Sequence, residues 1–276
     1  MQIRGEPTAS ISAIPAPGDD LVARNSAKHA WMIAVALIIL VTALRIAYMI
    51  WLSPYQLVGD EAYYWVQGRH LELCYDEKGP ALPWIIYGCC KIFGDSEWAV
   101  RLPVVIAFAL SAWGVGKLAL NVARGDQRVG LLAVIIFCLV PAFQANAQLC
   151  TQDGPLITIW IALTAIGLRL IRRWHENKNV WLEWSLIWIV VGIGFLFKQT
   201  SLLFLPSFAL YWLIHWRTLK LKAIFFAQQF VGVILFLITI TPILIWNSRH
   251  GWPMLAHTLG HLGAGGDQAG LVNSGN

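Results

Sequence analysis

The stretch GDEAYYW, residues 59–65, sets two carboxylates, Asp60 and Glu61, directly before three rings, Tyr63, Tyr64 and Trp65. A carboxylate at a partly dehydrated surface has its pKa lifted toward neutrality and can take a proton from a hydroxyl, while neighbouring rings stack on sugars. A second reading fits the same residues, with Asp60 as a helix N-cap and the rings as an interfacial belt. In YDEKGP, residues 75–80, Lys78 is suited to hold a phosphate as a point charge and Glu77 to orient it or a hydroxyl. A solvated turn with a local ion pair accounts for that segment equally.

CTQDGPL places Asp153 two residues before Pro155, where helix capping and donor binding both suit it. Lys198 in GFLFKQTSL and Arg249 in TPILIWNSRHGW supply two further cations, and Lys198 is also placed to snorkel. His257 and His261 have i, i+4 spacing without a carboxylate to complete a metal set, so no metal site is expected. The five cysteines form no CxxC pair and no disulfide framework. No Walker loop, HExxH or serine elbow occurs.

The elements that position these groups must lie in lipid. Hydrophobic residues make up 58% of the chain and charged residues 13%, with a mean hydropathy of +0.61. These values exclude an ordinary soluble domain and imply an all-α integral membrane protein, a polytopic helical bundle of about seven spans. The spans are Ala30 to Leu52, Leu102 to Val122, Val129 to Ala145, Pro155 to Ile171, Val180 to Phe197, Ser201 to His215 and Leu221 to Trp246. Pro80 to Phe93 is too short to cross, so the first loop, residues 53–101, contains an amphipathic helix lying in the interface. Residues 1–29 read as a cytoplasmic disordered tail, 30–260 as the membrane domain, and 261–276 as a Gly-rich exoplasmic tail at a truncation point.

Lys and Arg fix the orientation. The loops near Arg124 and Arg128, from Arg169 to Lys178 and from Arg217 to Lys222 hold nine of them and are expected in the cytoplasm, while the alternate loops are nearly bare. The net charge of +5 is thus spread by topology, and no nucleic-acid partner is implied. Asp60, Glu77, Lys78, Asp153, Lys198 and Arg249 then share the exoplasmic face.

The order of the motifs, GDEAYYW, YDEKGPALPWIIYGCCKIFGDSEWAVRLP, TQDGPL, GIGFLFKQTSLLFLP and TPILIWNSRHGW, resembles membrane glycosyltransferases of the GT-C fold. Within that group it resembles the bacterial branch of the protein mannosyltransferase superfamily, which includes lipid A aminoarabinose and lipopolysaccharide galacturonic acid transferases. The resemblance implies a polyprenyl-phosphate sugar donor and catalysis by Asp60, with Glu61 beside it. It also implies a Glu-Lys-Pro-Pro element matching Glu77 and Lys78. Here Gly79 replaces the first Pro and Tyr63 stands in place of an Arg, two departures that argue against aminoarabinose as the sugar.

The expected reaction moves a sugar to a hydroxyl of a lipid, glycan or protein acceptor, with Asp60 as base. Glu77, Lys78, Asp153, Lys198, Arg249, Tyr63 and Tyr64 would bind the donor phosphate or sugar. No obligatory cofactor is expected, and a divalent cation is compatible with the phosphate. The alternatives are a lipid-linked sugar transporter, and an inactive fragment or partner subunit of a longer transferase.

Overall fold

In a computed structural model, which describes residues 19–76, 78–215, 223–254 and 256, every regular element is helical. The first is α1 (Asp19–Trp51), whose segment His29–Trp51 has the apolar length of a membrane span. Two helices outside the long spans follow, α2 (Gly59–Arg69) and α3 (Ala81–Phe93). The second spanning helix, α4 (Glu97–Val122), begins five residues before the expected Leu102, because Ser96 is its N-cap and Pro103 is accommodated within its second turn.

The segment Val129 to Ala145 is not one helix. Val140 takes an extended conformation and Pro141 starts a new element, giving α5 (Gln127–Leu139) and the short α6 (Pro141–Asn146). Then come α7 (Asp153–His175) and α8 (Trp181–Phe197), a 3-10 turn (Gln199–Leu203), and α9 (Phe204–Ile214). The last apolar segment is also broken: α10 (Ala223–Thr239) and α11 (Thr241–His250) meet at a 60° bend, with Pro242 in the first turn of α11. Among the described residues three helices are long and apolar enough to cross a membrane, and a fourth if the bent pair counts as one span. The 13-residue α5, the 17-residue α8 and the segment Gln199–Ile214 are apolar but shorter.

The bundle is built around α4, α7 and α8. α4 packs on α1, α3, α5 and α7, while α8 packs on α7 and α10. Phe108, Leu163, Leu170, Ile187 and Val191 are fully enclosed between them. The Thr158 hydroxyl donates to the Ala107 carbonyl at 2.8 Å, a polar tie of the kind that fastens helices in lipid. Outward, Met32, Ile39, Leu44, Leu110, Leu132, Phe230 and Ile238 are exposed. Such a belt is unstable in water and natural in a bilayer. Of the tail expected at 1–29, residues 19–29 are helical and open α1, while 1–18 lie outside the described residues, as do the tail expected at 261–276 and His257 and His261.

Candidate active site

Asp60 and Glu61 sit in the first turn of α2, where negative charge is favoured by the helix dipole. Successive helical residues point about 100° apart, and here that separates two functions. The Glu61 side chain turns inward and is fully buried. It receives Arg101 Nε at 2.9 Å on Oε1 and Nη2 at 2.7 Å on Oε2, a bidentate ion pair. Its Oε1 also accepts the Cys150 backbone N–H at 2.8 Å, and its Oε2 that of Val58 at 3.2 Å. Val58 is the residue in the N-cap position, so the capping imagined for Asp60 belongs to Glu61 instead, reaching back from the third helical position. Arg101 also donates to the carbonyls of Tyr55 and Gln56, which pins the segment leaving α1.

Asp60 turns outward. Its side chain is 66% exposed, and its Oδ1 lies 3.4 Å from Lys78 Nζ. The Lys78 ammonium stands 4.7 Å from the Tyr64 ring centroid and 5.3 Å from that of Tyr63, within cation–π range of both. A second carboxylate–lysine pair joins Asp153 and Lys198 at 2.7 Å, both half exposed. Asp153 is the first residue of α7 rather than its cap, which is Gln152, so its carboxylate is available to Lys198.

Tyr64 lies in the field of both pairs. Burial pushes its phenol well above the usual tyrosine range, and the negative charges of Asp60 and Asp153 push in the same direction. The Tyr64 hydroxyl therefore stays protonated.

Lys78 is brought here by the fold of residues 70–76 and 78–80. The Tyr75 hydroxyl donates to the Gln67 carbonyl at 2.8 Å, Trp84 Nε1 donates to the Glu72 carbonyl at 2.9 Å, and Trp246 Nε1 donates to the Glu72 carboxylate. The Asn247 amide approaches Cys74 Sγ at 3.9 Å, fastening the loop to α11. Burial drives the Cys74 thiol up to about 11.

At Gly79 a Cβ would meet the Leu196 carbonyl oxygen at 2.0 Å. The turn can reach the C-terminal end of α8, two residues from Lys198, only because no side chain is present. That explains why Pro is absent at this position.

Of the sequence candidates, Asp60, Lys78, Tyr63, Tyr64, Asp153 and Lys198 converge at one end of the bundle. Arg249 is exposed near the end of α11, on the helix that holds Glu72 through Trp246, without a direct contact to either pair. Glu77 lies outside the described residues. Sequence reasoning missed the partnership of Arg101. Its signal was a single Arg in EWAVRLP at the head of a spanning helix, where an unpaired charge is costly. Glu72 and Trp246 were likewise unforeseen as partners.

At the other end of α7, Arg169 and Arg173 close on the buried Glu183 carboxylate at 2.8 and 3.2 Å. Among the described residues no group of three or more His, Cys, Asp or Glu side chains gathers as a metal site.

Fold and site together define a helical membrane protein with paired carboxylates and lysines gathered at one end of its bundle. The chain belongs to the dolichyl-phosphate-mannose-protein mannosyltransferase family, whose model matches residues 77–246.

Curated relatives are undecaprenyl phosphate-alpha-4-amino-4-deoxy-L-arabinose arabinosyl transferases. That of Pseudomonas paraeruginosa is 28% identical over 172 residues, 61% of this chain and 30% of its own length. That of Pectobacterium atrosepticum is 28% identical over 142 residues, 51% of this chain and 25% of its own. That of Erwinia tasmaniensis is 27% identical over 157 residues, 56% of this chain and 28% of its own. The match thus spans less than a third of these relatives. No solved structure matches the chain.

Proposed function

We propose that the chain carries the donor and base site of a membrane glycosyltransferase that moves a sugar from a polyprenyl phosphate to an acceptor hydroxyl at the exoplasmic face. The observation that carries this reading is the convergence of two exchangeable carboxylate–lysine pairs, Asp60–Lys78 and Asp153–Lys198, around Tyr64. The relatives, undecaprenyl phosphate-alpha-4-amino-4-deoxy-L-arabinose arabinosyl transferases, supply the donor class.

An exposed ion pair at 3.4 Å is weakly held. A phosphate, with more charge and more acceptor oxygens than a carboxylate, competes well for Lys78. As Lys78 turns to the donor phosphate, Asp60 is released to accept the acceptor's proton. The acceptor oxygen then bonds to the anomeric carbon from the face opposite the phosphate. The bond from that carbon to the phosphate oxygen breaks, and polyprenyl phosphate leaves with its negative charge stabilised by Lys78 and Lys198. The configuration at the anomeric carbon inverts. Tyr63 is exposed and borders the place where the sugar would stack, whereas the ring of Tyr64 is buried and backs Lys78 from beneath. Glu61 and Arg101 position this end of α2 without meeting substrate, and Glu77 and Arg249 remain proposed donor contacts.

In the same reading the chain crosses the bilayer seven times, with α5 and α6, α8, the 3-10 turn plus α9, and the bent α10–α11 pair each counted as a span. The Arg169 and Arg173 end of α7 faces the cytoplasm. Residues 30–260 form the membrane domain.

Binding of a synthetic polyprenyl-phosphate sugar to the purified chain in detergent, followed by tryptophan fluorescence, tests the assignment. Lys78→Ala and Lys198→Ala should each weaken the donor about tenfold or more, the worth of a charge-assisted contact. Unchanged donor affinity in both variants would remove these lysines from the site.

A further inference from the structure

At the Arg69 end of α2, away from Asp60, the structure opens a second polar cleft that the transfer chemistry does not use. It is a cavity of about 380 Å³ between α2 and α3, bordered by Trp65, Arg69, Tyr87, Lys91 and Asp95. Each cation stands over a ring, Arg69 at 4.8 Å from the Trp65 centroid and Lys91 at 5.4 Å from that of Tyr87. Asp95 lies 3.6 Å from Arg69 and accepts from Trp65 Nε1 at 3.4 Å, so it steadies one wall of the cleft. A guanidinium has five N–H donors, and this single contact leaves most of them available. No carboxylate among the described residues pairs with Lys91. Two cations against one acid leave the cleft with a net positive charge.

Outside the cleft lining, Ile85, Ile92 and Phe93 of α3 are exposed, and Phe93 packs on Trp98 at 5.3 Å between centroids. Basic side chains beside aromatic rings, on a short helix that also exposes aliphatic residues, are the composition of a membrane interface.

We propose that this cleft binds the phosphate of an anionic phospholipid, whose acyl chains pass out of the cleft into the bilayer beside α3. The inference rests on placing the first loop at the membrane surface, and it goes beyond the transferase reading because the lipid takes no part in the reaction. Its consequence is positional. α2 and α3 are closely joined where a Cβ on Gly68 would meet the Pro83 carbonyl oxygen at 3.1 Å. A lipid held at Arg69 therefore sets the depth of Asp60, nine residues and about 14 Å away along the helix.

The test is native mass spectrometry of the full chain titrated with phosphatidylglycerol, phosphatidylcholine or soluble glycerol 3-phosphate. The readout involves no sugar transfer, so it is independent of the catalytic assignment. The expected result is one tightly retained phosphatidylglycerol, weakened about tenfold by R69Q together with K91Q and to a smaller extent by K91Q alone. Lys91 is exposed, so the single variant separates binding from misfolding. R172Q, on the opposite end of α7, should leave that lipid in place. Equal retention of phosphatidylcholine, or unchanged phosphatidylglycerol binding in the double variant, would overturn the proposal. Glycerol 3-phosphate binding as tightly as the lipid would overturn it in favour of a soluble anion.

Discussion

Replacing Asp60 by Asn and, separately, Glu61 by Gln should give opposite outcomes from neighbouring residues. Glu61 is fully buried and accepts four hydrogen bonds, two from Arg101 and one each from the Val58 and Cys150 backbones. In Glu61→Gln the amide nitrogen must face donors that the carboxylate accepted, and the Arg101 guanidinium, itself buried, loses its counter-charge. Breaking a buried pair in this way costs about 3–5 kcal/mol. The three segments tied by the carboxylate, the entries to α2 and α4 and the loop before α7, should loosen together.

Asp60 has only a long, largely exposed contact to Lys78, so Asp60→Asn should change stability by no more than about 0.5 kcal/mol. Its cost falls on the chemistry instead, a loss of about 100- to 10,000-fold in turnover as the base is removed. Denaturant or thermal unfolding in detergent, run beside transfer of labelled sugar from a synthetic polyprenyl phosphate, reads both quantities on the same preparations. A stable Glu61→Gln with an unstable Asp60→Asn would refute the division of labour. An Asn variant with full turnover would remove Asp60 as base.

Two further outcomes follow from the loop that carries Lys78. Gly79→Ala would drive a Cβ into the Leu196 carbonyl, so the turn should shift off the end of α8, with a stability loss of about 1–3 kcal/mol and weaker donor binding, measured by melting and fluorescence titration. The Cys74 thiol is fully buried, which also holds it up to about 11. In the folded chain near pH 8 it should alkylate at least about 100-fold more slowly than an exposed cysteine and react at an ordinary rate once denatured, followed by mass spectrometry of the labelled peptide.

The sequence by itself determined the solvent and the class of element. A chain with 58% hydrophobic residues arranged in continuous runs of about a bilayer's length reads as helices in lipid, since a helix satisfies each backbone group within its own run without water. It also marked the acids and lysines that would meet. The breaks at Val140 and Ile240 were visible in principle, because Pro141 and Pro242 suit a first helical turn, yet apolar continuity concealed them.

Only the tertiary structure decided which carboxylate of the Asp60–Glu61 pair faces inward. Both are short acids in one helical turn, and the difference is made by Arg101, 40 residues away, and the Cys150 backbone, 89 residues away. It likewise decided that Lys78 meets Asp60, because that depends on Glu72 being held by Trp246 across 174 residues and on Gly79 lying against Leu196. Residue type sets the charge a position can carry. Burial and partner then decide whether that charge fixes the fold or remains free to react.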